Sequence, residues 1–371
     1  MGSIIKMVLL TNWLSVPTGR AGLKSAEQYH QYDQYEMMRL VCGLLLVCCV
    51  FVMPSAQAAT RDNPVLGGAI AGYSAGGMIS MLGEGLTAMV RAEYPGSSLT
   101  YEPGNPAGGL VKMVAGKRPF SIQTSLELAV ARAGEPPFRR SYGADELLAV
   151  GQFVEGMAVQ VLMRADFLRD YQVDNLQQVA DQGLPLRVSA NMRGNLLGQL
   201  VTERVLSHYG LSFKQVLANG GDVVYLPTRA SAQMMRNRKL DMVLTASFLP
   251  SSRLIEIATA TDIRLMSLPT ELLDAMVDEF GFGTMVIPAE TYSFLKTDLP
   301  ALTTGFLLTA GQKTSHEDAY MMARSLHRQF DLLKGLHPSF ARYEPNMLLR
   351  TGDLALHAGA AAYYREAGLL P

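Results

Sequence analysis

Five residues have the types and spacing to do chemistry: Gly72-Tyr73-Ser74-Ala75-Gly76. Set between an apolar run (65–71) and a helix-spaced segment, they match the G-x-S-x-G elbow on which α/β-hydrolases present a serine nucleophile. Asp353 and His357 follow in the chain order that a Ser–Asp–His triad needs. Against that chemistry, a nucleophile elbow normally follows several strands, whereas this one follows the first, and no His-Gly-Gly-Gly-type oxyanion loop precedes it. A nucleotide site fits less well, because the spacing is not G-x-G-x-x-G and no Gly-Lys-Ser/Thr follows. The third reading is a ligand-binding turn. Glycines let the backbone approach a solute, and the helix start offers unpaired N–H groups to an anion.

Whichever chemistry applies, strands and helices must hold that turn. Met78, Met81, Leu82, Leu86, Met89 and Val90 recur at helical spacing, so strand, turn and helix form the first step of an α/β unit. Two more steps follow. Residues 97–101 read as a strand before the small-residue turn Gly104-Asn105-Pro106-Ala107-Gly108-Gly109, with a short helix over 110–115. Residues 120–124 read as a strand before a helix over 126–133. Apolar runs at 147–153 and 157–163, parted by Glu155-Gly156, read as one long crossing segment. A second α/β series begins beyond it, with strands at 186–190, 223–226 and 242–245, helices at 195–209, 230–237 and 251–258, and a turn at 191–194. Residues 263–268 read as a passage back, 285–287 and 302–309 as strands, and Ser315 as the N-cap of a long helix. The expected fold is α/β and bilobal, two α/β lobes with a ligand cleft between them.

The 371-residue chain is 49% hydrophobic with a formal charge of −1, a globular composition with room for two lobes. Residues 37–58 have the order of a secretory signal peptide: Met37-Met38-Arg39, an apolar run over 40–52, then Ser55-Ala56-Gln57-Ala58. Residues 1–36 are expected to be a misassigned start or a short extension. Cys42, Cys48 and Cys49 all lie in the leader, so cleavage near Ala58/Ala59 would leave a chain without thiols. It would also remove four basic and three acidic residues, leaving 28 and 30, or −2. That balance offers no basic field to nucleic acid. No cofactor motif and no histidine pair at metal-ligand spacing stands out, so neither cofactor nor metal is expected.

Two further motifs give the chain a family likeness. Ile287-Pro288-Ala289-Glu290-Thr291-Tyr292 and the ending Leu356-His357-Ala358-Gly359-Ala360 through Tyr363-Tyr364-Arg365-Glu366-Ala367-Gly368 resemble the I-P-A-G-T-Y and H-P-G-A-x-x-Y-Y-x-E-x-G strings of TAXI-type solute receptors. Those receptors serve tripartite ATP-independent periplasmic (TRAP) transporters. Gly76, Gly77, Leu82 and Gly83 match that family's first glycine turn, and Leu240-Asp241 its second-lobe strand start. The resemblance implies a type II periplasmic-binding-protein fold and a periplasmic, monomeric, non-enzymatic receptor that delivers a small organic solute, a carboxylate or amino-acid-like compound, to a TRAP-type membrane permease. It departs in the binding turns. Ile79-Ser80 replaces two tyrosines, Pro106 and Gly109 replace Ser and Asn, and Met192-Arg193-Gly194 replaces Gly-Ser-Gly.

The expected lobes are residues 59–155 with 263–371, and residues 156–262. Ligand contacts are expected from Tyr73, Ser74, Gly76, Gly77, Asn105 and Thr124 of the first lobe, and from Asn191, Arg193, Gly194 and Asn195 of the second. Arg193 has two readings. It either clamps a ligand carboxylate in the cleft or turns outward into solvent. His357 is expected to be structural, Asp241 to cap or turn a strand start, and Tyr363 and Tyr364 to pack the last helix onto the sheet. Protein recovered from its native cells should begin at or near Ala59 by N-terminal sequencing; an N-terminus at Gly2 would overturn the export reading.

Overall fold

The computed structural model describes residues 64–371; the expected leader and residues 1–36 lie outside them. The first lobe opens as β1 (Ala69–Ala71), α1 (Met78–Glu93), β2 (Thr100–Glu102), α2 (Pro106–Val114), β3 (Phe120–Gln123) and α3 (Ser125–Ala133). The long strand β4 (Leu148–Arg164) leads into α4 (Ala165–Asp170), α5 (Leu176–Asp181), β5 (Arg187–Ser189), α6 (Leu196–His208), α7 (Phe213–Ala218), β6 (Asp222–Val224), α8 (Thr228–Arg236), β7 (Met242–Ser247) and α9 (Ser252–Ala260). The chain then runs β8 (Ile263–Leu265), α10 (Thr270–Phe280), β9 (Gly283–Ile287), β10 (Leu299–Ala310), α11 (His316–Arg328), α12 (Phe330–Leu336) and α13 (Ala358–Glu366).

The strand order is β2-β1-β3-β10-β4-β7-β5-β6, with β8 on β4 and β9 on β10. Two parallel triplets, β2-β1-β3 and β7-β5-β6, sit at the ends of this order, each with its helices as crossovers. Strands β1 and β3 are buried along their whole length; β1 is entirely apolar, whereas β3 alternates Phe120 and Ile122 with the buried polar Ser121 and Gln123. Between the triplets, β4 pairs antiparallel with β10 from Leu148 to Ala158 and with β7 from Ala158 to Met163. One strand therefore belongs to both lobes.

Residues 263–268, expected to carry the chain back, do not do so. β8 folds against the end of β4 (Leu162↔Leu265), and the return passage is β10, which pairs with β9 at its start and with β3 at its end. The expected helix over 110–115 begins earlier, at Pro106, where the fixed φ of proline suits a first helical turn and Asn105 Oδ1 accepts the Gly108 N–H at 2.7 Å. The helix α10 carried no start signal: Pro269 stands at its N-cap and supplies no side-chain bond.

Three apolar clusters fill the molecule. Leu82, Leu86, Met89, Phe153, Phe340 and Tyr364 pack α1, α11 and α13 onto one face of the first-lobe sheet. A second runs across the other face of both lobes, through Leu126, Val159, Val188, Val201 and Leu302. A third, with Leu162, Met235, Leu254 and Tyr292, lies in the second lobe. The second lobe also holds a buried ionic hub. Asp241, 1% exposed, accepts from Arg164 at 2.9 Å and from Arg187 at 2.6 Å, and also takes the Arg187 backbone N–H. It joins the end of β4 to the starts of β5 and β7, a larger role than the strand-start turn expected for it. Removing one partner of a buried ion pair strands the other charges. Asp241→Asn should therefore cost about 3 kcal/mol or more in urea unfolding. Asp353→Ala, which breaks the surface pair with Arg132 where the aspartate is 86% exposed, should cost less than about 1 kcal/mol. Equal losses would contradict the hub.

Candidate functional site

The Gly72–Gly77 turn is set by packing before any ligand arrives. The Tyr101 hydroxyl donates to the Tyr73 carbonyl at 2.7 Å, and the Gly72 N–H donates to the Glu102 carbonyl at 3.1 Å. The Tyr101 ring fills the space that side chains at Gly72 and Gly83 would need, 2.5 Å and 2.1 Å from ideal Cβ positions. Gly72 is thus required by the neighbouring aromatic, which is a different reason from the strained elbow of a hydrolase. Asp353 and His357 do not join Ser74. Asp353 pairs with Arg132, and His357 accepts the Gly359 N–H at 3.2 Å through Nδ1 while its Nε2 lies 3.2 Å from the Thr314 carbonyl. His357 is the N-cap of α13, the structural part expected of it.

Ser74 instead opens onto a cavity of about 210 Å³ between the lobes. The first lobe contributes Tyr73, Ser74, Gly76, Gly77, Met78 and Ile79. The second contributes Asn191, Asn195, Thr228, Arg229, Ser247, Ser251 and Arg253, and the crossing strands supply Met157 and Phe306. The lobes touch beside it. The Ala107 N–H donates to the Gly194 carbonyl at 3.3 Å, and Phe248, just past β7, meets Phe340 edge-on with ring centres 5.0 Å apart.

Of the ten residues expected at the site, Tyr73, Ser74, Gly76, Gly77, Asn191 and Asn195 line this cavity together. Asn105, Thr124, Arg193 and Gly194 lie outside its lining. Asn105 caps α2 and abuts Gly194, whose added Cβ would stand 2.6 Å from its Oδ1. Arg193 is exposed, with its guanidinium carbon 3.8 Å above the Tyr225 ring, so stacking holds it to the second lobe. Thr124 is fully buried behind Tyr73 and serves the α3 N-terminus.

Two residues missed in the sequence dominate the electrostatics. Arg229 lies in the first turn of α8 and Arg253 in the first turn of α9, and neither has a carboxylate partner among the described residues. Burial first, and the charge of Arg229 second, push the Arg253 guanidinium below its ordinary value, against the opposing pull of Glu256. Glu256 is itself ion-paired with Arg236. No Asp or Glu side chain lines the cavity. The helices α1, α8 and α9 all begin at its wall without a side-chain cap, as α4, α10 and α12 do elsewhere, whereas α2, α5, α6, α7, α11 and α13 are capped by their own side chains. Three uncapped helix starts and two unneutralised guanidinium groups form an anion-binding wall. The only sequence trace of it was that both arginines stand one residue inside a helix start.

The wall is braced from behind. Tyr292, the last residue of the Ile287–Tyr292 motif, is buried; its hydroxyl donates to Gln160 Oε1 at 2.8 Å and accepts the Ser251 N–H at 2.9 Å. Gln160 in turn donates to Ser247 at 2.9 Å. These bonds fix Ser247 and the entry to α9.

A model of the NMT1-like family matches residues 70–368, and the chain belongs to that family. No curated protein matches the sequence significantly. Among solved structures, the periplasmic binding protein BugD is 12% identical, with 83% of this chain and 99% of that one covered and a TM-score of 0.47. MatC from Rhodopseudomonas palustris with bound malate is 14% identical, over 81% of this chain and 96% of that one, with a TM-score of 0.47. The alkanesulfonate-binding protein SsuA from Xanthomonas axonopodis pv. citri, bound to MOPS, is 13% identical, over 83% and 95%, with a TM-score of 0.38. The strand order, with two parallel triplets sharing one pair of crossing strands, defines the fold as the bilobal type II periplasmic-binding-protein arrangement.

One further acid links the lobes. Glu127, fully buried in the first turn of α3, takes the Thr124 N–H at 2.9 Å and the Thr124 hydroxyl on one oxygen, and on the other the N–H of Leu197 in α6 at 3.4 Å. Burial pushes its carboxyl above the ordinary value near 4.5, and the bonds it accepts oppose that only in part. The folded state therefore keeps a proton that the unfolded chain has lost above about pH 4.5, and stability from this group falls as pH rises from there through the folded value. Glu127→Gln should remove this dependence. The wild-type advantage in melting temperature should shrink steadily as pH is raised from about 4.5. A difference that is constant with pH would show that Glu127 folds ionised.

Proposed function

We propose that the chain is an exported solute-binding receptor that captures a small organic anion between its lobes and delivers it to a TRAP-type membrane permease, as a TAXI-type receptor would. The observation that carries this reading is the wall of Arg229, Arg253 and three uncapped helix starts, facing a cavity without an acidic side chain. A closed, partly dry cleft makes such charge-assisted hydrogen bonds stronger than they are in water. The signal-like leader at 37–58 and the TAXI-like motifs support export and the permease partner. Membership of the NMT1-like family is compatible with both. The receptor acts as a monomer in this reading, with a first lobe of residues 59–155 joined by the chain from β10 onward.

The test is binding to the mature chain, by calorimetry and thermal shift against small carboxylates and sulfonates. Saturation at 100 times the dissociation constant should add about 2.7 kcal/mol of stability. Arg229→Ser and Arg253→Ser should each weaken binding about tenfold to a hundredfold, the loss of one charge-assisted contact of about 1.5–3 kcal/mol. Arg193→Ser should leave affinity unchanged. Ser74→Ala should weaken binding tenfold at most, for a neutral hydrogen bond of about 0.5–1.5 kcal/mol. Ester turnover lost in Ser74→Ala, or an affinity indifferent to both cleft arginines, would overturn the proposal.

A further inference from the structure

The two sides of the cleft differ in chemistry, and the difference constrains the solute. On the first-lobe and hinge side the cavity meets Tyr73, Met78, Ile79, Met157 and Phe306. Tyr73 and Phe306 stand edge to face with ring centres 5.2 Å apart. The Tyr73 hydroxyl is buried without a hydrogen-bond partner, and burial together with the nearby Glu127 carboxylate raises its pKa well above the ordinary value. Glu127 and Thr124, which neighbour this hydroxyl, do not line the cavity, so Tyr73, Met78, Ile79, Met157 and Phe306 offer it carbon, and the polar groups on this side are Ser74 and the start of α1. On the second-lobe side stand Arg229, Arg253, Ser247 and Ser251.

Charge selects as well as shape. An ammonium group in this cavity would find no carboxylate and would lie within the field of two guanidinium groups. Like charges held at close range in a partly desolvated site repel strongly. A second carboxylate set against Met78, Ile79, Met157 or Phe306 would lose its hydration with nothing to replace it. Arg229 and Arg253 both line the cavity from the first turns of the adjacent helices α8 and α9, so they can share one anionic head. Size narrows the class further. A cavity of about 150 Å³ takes benzene, so this one holds a ring or branched chain with its carboxylate, roughly eight to twelve non-hydrogen atoms.

We propose that the solute is a monoanionic carboxylate with an apolar, aryl or branched-alkyl body and no ammonium group. This rests on the receptor reading above and excludes the amino-acid-like branch of it. The matched probes are 3-phenylpropanoate against phenylalanine and 4-methylpentanoate against leucine, with succinate for a second charge, all titrated into the mature chain at neutral pH. Each deamino acid should bind at least tenfold more tightly than its amino counterpart and than succinate. Met78→Gln, at the half-buried edge of the apolar wall, should weaken the deamino acids several-fold without lowering the melting temperature of the free protein. Binding of phenylalanine, leucine or succinate as tightly as the deamino acids overturns this inference. If that binding is also lost in Arg253→Ser, the anion-receptor reading stands without it. No binding by any of the five probes overturns both.

Discussion

The antiparallel pairing of β4 with β10 is the constraint on which the molecule depends. Each lobe has its own parallel triplet, and these two strands alone carry the sheet from one triplet to the other. Their ladder is irregular where the lobes meet. The register slips between Thr304 and Phe306, opposite the Glu155-Gly156 break, where Gly156 has φ +78°. Gly305 lies so close to the partner strand that a Cβ would stand 2.1 Å from the Val154 carbonyl oxygen. A bulge bends its strand and re-aims the next side chain. Here the extra residue is on β4, so the side chain that follows it is Met157, which lines the cavity with Phe306 of the facing strand, and Phe306 meets Tyr73. Hinge and cleft floor are therefore one feature, and a side chain at position 305 would disturb both.

Polar groups are handled in opposite ways on the two sides of the second-lobe wall. Away from the cleft, Asp241 is saturated by Arg164 and Arg187, and the α7 terminus is capped by Ser212. At the cleft, α8 and α9 begin without caps, each with an arginine in its first turn, where positive charge opposes the helix dipole. That arrangement is locally unfavourable and is repeated at two adjacent helices. A packed scaffold tolerates such a local conflict at a functional site, because ligand binding supplies the missing partners.

Most of the scaffold was legible because its signals are local. The first-lobe steps are short apolar runs, small-residue turns and helix-spaced segments, and Gly116, Gly134 and Gly210 stop helices with positive φ as their positions suggest. The passage back was not legible. The segment 263–268 is extended and apolar whether it crosses between lobes or pairs with the end of β4, and only the tertiary partner distinguishes the two. At the site, turns between strand and helix marked six lining residues correctly as neighbours. Arg193 drew attention because it stands where the resembled family has serine, yet Tyr225, more than thirty residues away, provides the ring it stacks on. Arg229 and Arg253 follow Pro227-Thr228 and Ser251-Ser252, ordinary helix starts whose shared orientation toward the cleft exists only after folding.

The residues of the two long motifs that resemble TAXI-type receptors stand behind the cleft. Tyr292 braces Ser251 and Gln160, and the Tyr364 hydroxyl donates to the Val150 carbonyl of β4 at 2.9 Å. The His357 N–H reaches the Ala149 carbonyl of the same strand at 2.8 Å, and Gly359 lies against the His316 carbonyl with no room for a Cβ. Both motifs thus act on the crossing strand or on the entry to α9, the parts that fix how the lobes meet. The positions that depart from the family pattern, Ile79, Pro106, Gly109 and Arg193, lie in or beside the turns at the cleft edge. A scaffold that concentrates its fixed contacts in the crossing strands leaves the cleft-edge turns free to change. The same pair of crossing strands can then support clefts of different charge and shape, according to which side chains line their walls.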